Sequence, residues 1–148
     1  MAPLLTADVR LVASPRRRAI ETLAALARAL GRDQGSVEID GRWAEVDFGI
    51  AEGRTFDELA ALRPDLAERL AAGDTTIDWP GGGTAAELTA RVTRAWQDLV
   101  ADGRPALIVA HAGPIRAALA IATGTWPADV VIPAPGEVRW WPEPVLGG

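Results

Sequence analysis

The sequence contains no cysteine and one histidine, His111. The first absence excludes disulfides and thiolate metal sites. A single imidazole leaves a dedicated zinc or iron centre short of nitrogen ligands, so no metal site is expected, and no cofactor is expected either. Lysine is missing as well. All fifteen basic residues are arginine, which gives every cationic position a planar fork suited to oxyanions. No apolar run approaches the roughly 20 residues needed to cross a bilayer. The opening "MAPLLTADVR" has neither the basic start nor the apolar stretch of a secretory signal. These absences lead to the expectation of a cytoplasmic chain without a membrane partner. The formal charge of −5 argues against wrapping a nucleic-acid backbone.

What is present fits an ordinary folded protein. With 148 residues, 49% of them hydrophobic and 24% charged, one domain spanning 1–148 is the simplest organisation. "DVRLVA" (8–13) alternates and reads as a strand, and Ser14–Pro15 supply an N-cap and a favoured first helical position. Ile20, Leu23, Ala27 and Leu30 follow at helical spacing up to Gly31. Val37–Trp43 reads as a short strand, Thr55–Leu62 and Pro64–Ala72 as two short helices, and "DWPGGG" (78–83) as a loop. Thr84 is placed to cap a long helix reaching about Asp102, with Leu88, Val92, Trp96 and Leu99 on one face. A buried strand over Ala106–Ala110, a helix over Pro114–Thr123 and a last strand over Gly136–Trp141 complete the pattern. Helices alternating with apolar strands predict an α/β three-layer sandwich around a mostly parallel sheet.

Three segments carry candidate chemistry. "SPRRRAIET" (14–22) places three arginines in the first turn of a helix, the end where cations are disfavoured by about 0.3–1 kcal/mol. A solvated basic turn satisfies that spacing, and so does an anion held by guanidinium forks and free backbone N–H groups. "ALIVAHAGPIR" (106–116) puts His111 at the carboxyl end of a strand, where open parallel sheets bind ligands. Ala112 and Gly113 then allow close backbone approach. Taken alone, His111 is equally compatible with a structural imidazole bonded to a neighbouring loop. "RWAEVDFGIAEGRTFDEL" (42–59) sets Glu45 between Trp43 and Val46, a partly apolar setting that suits proton transfer, although a loop acid with a local hydrogen bond fits as well. "RTFDELAALRPDLAERL" (54–70) reads as an amphipathic lid that packs Phe56, Leu59, Leu62 and Leu66, with Trp79 nearby as a packing or pocket residue.

Together these segments resemble the histidine phosphatase superfamily, whose fold is phosphoglycerate-mutase-like. "ASPRRRAIET" is similar to the family's "SSPLxRAxxT" and "RWAEVDFGIAEGRTFDEL" to its "LxExxFGxxEGxxxxEL". "VAHAGPIRAAL" is similar to its "VSHGGxIRxLL", and "WPGGGTAAEL" to its "PGGESxxEL", with Gly83 where the family usually has Glu. The resemblance implies that Arg18 binds phosphate, that Glu45 is the general acid, and that His111 contacts the phosphoryl group without accepting it covalently. His111, Ala112 and Gly113 then line the phosphate with Arg18, and the ligand is a small phosphate monoester.

The same resemblance exposes a gap. The family's nucleophilic histidine stands in an "RHG" at the end of a first strand, and no RHG occurs among these residues. Only seven residues precede "DVRLVASP", so the expected fold is an N-terminally truncated version, in which "ALIVA" lacks a neighbouring strand. An unpaired apolar edge is a template for association. A homodimer, a complementing chain, or inward movement of "EVRWWPE" (137–143) would each cover it. Three functional expectations follow: a phosphate-binding domain without phosphohistidine chemistry; a phosphatase or mutase whose RHG segment comes from elsewhere; or a His111/Glu45 acid–base isomerase or lyase.

Overall fold

The computed structural model describes residues 8–125 together with residues 134, 136 and 137. Its sheet is built around β1 (Arg10–Ala13), which pairs in parallel with β2 (Val37–Ile39) on one side and β3 (Ala106–Val109) on the other. The register sets Leu11 opposite Val37 and Leu107, and Ala13 opposite Ile39 and Val109. A central parallel strand is covered on both faces, which is why Leu11, Val12 and Ala13 are all buried despite alternating in direction.

The two faces meet different helices. Val9, Leu11 and Ala13 pack with Leu23 and Ala27 of α1 (Arg17–Ala29). Val12 points the other way, into Trp43, Val92 and Ala95 of α4 (Ala85–Asp102) and Ala117 and Ala118 of α5 (Ala112–Thr123). The result is the expected three-layer α/β sandwich with a parallel sheet. Each Leu or Val buried in it contributes about 1.5–3 kcal/mol of hydrophobic stabilisation. Thr84 does cap α4, in a reciprocal box with Glu87, and Thr55 does the same with Glu58 for α2 (Phe56–Leu62). Pro64 then opens α3 (Pro64–Ala71).

Four expectations are corrected. Ser14 does not cap α1: Arg16 holds that position, and Ser14 is buried one residue beyond β1. The segment Val37–Trp43 is a strand only to Ile39, because Asp40 accepts from the Arg42 N–H and turns Gly41–Trp43 into a 3-10 turn. The β3 residues are half-buried rather than buried, since β1 is their one strand neighbour among the described residues. In the helical pair α2–α3, Leu59 and Leu66 are buried with Ile77 and Trp79, whereas Phe56 and Leu62 are half exposed. The last strand expected at Gly136–Trp141 lies outside the described residues except for Gly136 and Glu137.

Candidate functional site

The carboxyl ends of β1 and β3 lie side by side, and each leads into a helix. Ser14 N–H donates to Val109 O at 3.0 Å, so the parallel ladder continues one residue past β1. That contact brings the Ser14 side chain beside His111, which immediately precedes α5. Ser14 Oγ lies 2.7 Å from His111 Nε2, and both residues are buried. Although His111 occupies the N-cap position of α5, its ring makes no capping bond and is turned toward its neighbours instead.

The three arginines at the start of α1 diverge, as successive positions on a helix must. Arg17 pairs outward with Glu21 at 2.6 Å, an exposed i,i+4 pair of little energetic weight. Arg18, one position on, sends Nη2 to within 2.9 Å of His111 Nδ1. Its backbone carbonyl accepts from Thr22 Oγ1 at 2.8 Å. Burial pulls the His111 pKa below its ordinary value; the Arg18 and Arg16 charges push it the same way, and Glu45 opposes them. The ring is therefore held neutral at neutral pH.

Glu45 arrives from the third segment. Its Oε2 accepts from Gly113 N–H at 3.2 Å and its Oε1 from Val46 N–H at 2.9 Å. Gly113 makes that approach possible, because a Cβ there would overlap Glu45 Oε1 and press on Leu88. The Glu45 segment is fixed from below by Trp43, which is fully buried, and by Arg91 of α4. Arg91 donates to Arg42 O at 2.6 Å and to Glu45 O at 3.2 Å. Beyond Glu45, Gly49 and Gly82 let the "DFG" and "PGGG" turns cross at backbone contact: Ile50 N–H donates to Pro80 O at 3.0 Å and Gly83 N–H to Asp47 O at 2.9 Å. Trp79 is buried and meets Phe48 in a T-shaped pair at a centroid distance of 5.1 Å, so its part here is packing.

Arg18, Glu45 and His111 are thus brought to one place from three distant segments. Two details differ from the phosphate lining that the resemblance implies. The Gly113 N–H, expected to face a phosphate, is taken by Glu45. A hollow of about 230 Å³ is lined by the Glu45 segment together with Thr84, Glu87 and Arg91, and neither Arg18 nor His111 lines it. Ala112 is exposed at the start of α5. Two contributors escaped sequence reasoning: Ser14, which cap chemistry explained equally well, and Arg91, one arginine among several on a helix with no local signal.

An arginine-braced imidazole stands at the carboxyl end of a parallel strand, with a carboxylate at the start of the next helix, the end of the sheet at which open α/β proteins bind ligands. Residues 5–131 match the family profile of the histidine phosphatase superfamily (branch 1), and the chain belongs to that superfamily. Among curated proteins it is 38% identical, over 113 residues, to the Bifunctional protein Rv2228c of Mycobacterium tuberculosis and to the Uncharacterized protein Mb2253c of Mycobacterium bovis. The match covers 75% of this chain but only 30% of those relatives. A solved mycobacterial glucosyl-3-phosphoglycerate phosphatase in complex with inorganic phosphate superposes with a TM-score of 0.69 at 29% identity, over 83% of this chain and 62% of that one. Bacillus stearothermophilus YhfR shares the fold, with a TM-score of 0.69 at 21% identity, covering 84% of this chain and 62% of its own.

Proposed function

We propose that this domain binds the phosphoryl group of a small phosphate monoester at Arg18 and His111, with Glu45 placed to protonate the leaving oxygen. The observation that carries the reading is the 2.9 Å contact between Arg18 and His111, beside a Glu45 carboxylate anchored on Gly113. Arg18 is exposed, so its guanidinium is accessible to an arriving anion and keeps donors free for it. Ala112 and Gly113 contribute backbone N–H groups at the start of α5, the second of these in competition with Glu45. A solved neighbour named as a glucosyl-3-phosphoglycerate phosphatase supports a phosphate monoester as the ligand class.

Covalent transfer needs an activated nucleophile in line with the leaving oxygen. The one histidine of the sequence is engaged by Ser14 and Arg18, and it is the histidine that by family resemblance stays uncharged with phosphate. Hydrolysis by way of phosphohistidine therefore calls for a histidine from outside these 148 residues. In the first half of that reaction the P–N bond forms, the P–O bond to the alcohol breaks, and Glu45 in its protonated form gives its proton to the departing oxygen. In the second half water attacks phosphorus, giving a proton back to Glu45, and the P–N bond breaks to release inorganic phosphate.

A second reading has its own observation. Strand β3 has β1 as its one strand neighbour among the described residues, so a strand from a complementing chain, or from a segment outside these 148 residues, would have an edge to pair with. That strand would carry the nucleophile to the His111 side of the sheet and make an active phosphomonoesterase or mutase.

Both readings are tested by assaying the purified chain against a phosphomonoester panel, with intact-mass analysis and light scattering. Binding of inorganic phosphate without turnover supports the first reading. Turnover accompanied by a co-purifying chain supports the second. Absence of phosphate binding refutes both.

A further inference from the structure

Arginine is a hydrogen-bond donor only, and so its contact with His111 has one chemical meaning. Nδ1, 2.9 Å from Arg18 Nη2, must present a lone pair. A neutral imidazole with a lone pair on Nδ1 carries its proton on Nε2, and Nε2 is 2.7 Å from Ser14 Oγ. The serine oxygen is therefore the acceptor. Arg16 N–H also donates to it, at 3.3 Å, so both of its lone pairs are engaged and its own proton is turned away from the ring.

We propose that Ser14 is a positioning residue of the phosphate site: by accepting from Nε2 it fixes the His111 tautomer and turns Nδ1 toward Arg18, so that the imidazolium favoured by an arriving anion presents its second N–H, on Nδ1, to that anion. The assignment rests on the phosphate-binding reading for the identity of the anion, but its core is the geometry of the ring. Ser14 is fully buried, and it rides on the strand whose ladder it extends to Val109, two residues before His111. Acceptor and imidazole are thus carried by adjacent parallel strands, with little freedom between them. Alanine at position 14 would leave a buried N–H without a partner, and the ring would gain by turning over or by exchanging tautomers. The charged groups around the ring are Arg16 and Arg18 from the turn and first turn of α1, Glu45 from its loop, and Arg91 from α4.

The sole histidine makes the test direct, since its imidazole nitrogens give unique signals in long-range proton–nitrogen NMR spectra. In the wild-type chain above neutral pH the expected spectrum is that of the Nε2–H tautomer. Ser14→Ala is expected to give a mixture of tautomers and roughly threefold to tenfold weaker binding of inorganic phosphate, the loss of one neutral hydrogen bond. Ser14→Thr, which keeps the hydroxyl, is expected to restore both. A wild-type Nδ1–H tautomer overturns the proposal whether or not Ser14→Ala folds, and so does a Ser14→Ala chain with a pure Nε2–H tautomer and unchanged affinity. A wild-type chain with the Nε2–H tautomer that binds no phosphate supports the Ser14–imidazole pairing and refutes the phosphate reading.

Discussion

Arg18 and His111, ninety-three positions apart in sequence, share a 2.9 Å hydrogen bond in which the guanidinium donates to Nδ1 of the imidazole. The arginine is exposed and the histidine buried, so the guanidinium lies between solvent and the imidazole. An anion bound as proposed would meet the cation first.

Removing that cation is expected to abolish most of the binding without unfolding the chain. Arg18→Gln should weaken inorganic phosphate by about tenfold to a hundredfold, the loss of a charge-assisted bond worth roughly 1.5–3 kcal/mol. Calorimetric titration measures it. Arg18→Lys should restore only part of the affinity, because an ammonium lacks the fork. Equal affinity in wild type and Arg18→Gln would remove Arg18 from the site.

The pH dependence follows from the direction of the His111 shift. Burial lowers the pKa of the folded state below the ordinary 6.5, so the native ring stays neutral where the unfolded ring already takes a proton. The stability associated with neutral His111 is therefore complete above about pH 6.5 and declines as pH falls through the native value. His111→Gln should flatten that part of the stability curve, measured by denaturant unfolding at a series of pH values. Bound phosphate should act in the opposite sense, because an anion favours the imidazolium. NMR titration of His111 with saturating phosphate is expected to show a higher midpoint than without it.

Gly113→Ala tests how Glu45 is seated. The new methyl group would overlap the Glu45 carboxylate and press on Leu88, so the carboxylate must leave the start of α5. The expected cost in stability is about 1–3 kcal/mol, typical of overpacking. Because Arg18 is untouched, phosphate binding should survive far better than in Arg18→Gln. Unchanged stability would mean that Glu45 does not close on Gly113 in solution.

Trp43 links the core to the site, since it is fully buried two residues before Glu45 and touches the α4–α5 cluster. Trp43→Ala should cost about 3–5 kcal/mol by the cavity it leaves. Trp43→Phe should cost less. Urea midpoints for the two variants decide the order.

Much of this was legible in the sequence, and for reasons tied to particular residues. Helical spacing from Ile20 to Leu30, the Thr84 cap and the apolar run before His111 located α1, α4 and β3, because local periodicity and capping are properties of neighbouring residues. The likeness of the Arg18, Glu45 and His111 segments to one family's motifs brought the three side chains together on paper. Ser14 was misplaced as a helix cap because a serine before a proline and a helix satisfies local rules completely; the imidazole that claims it lies 97 positions away. The exposure of β3 was missed because apolar content is the same whether one edge of a strand is paired or two. Phe56 and Leu62 share a helical pattern with Leu59 and Leu66, yet it is the packing of α2 and α3 against Ile77 and Trp79, which lie outside both helices, that buries the second pair and leaves the first exposed.

The sequence by itself determined the alternation of strands and helices, the caps, and the kinds of donor and acceptor on offer: arginines without lysine, one imidazole, one well-placed acid. Tertiary structure alone decided who bonds to whom. The parallel pairing of β1 with β3 sets Ser14 against His111, and α1 then delivers Arg18 to the ring's other nitrogen. Hydrogen-bond chemistry is written in single residues, but direction and tautomer arise only when distant backbones are held in register.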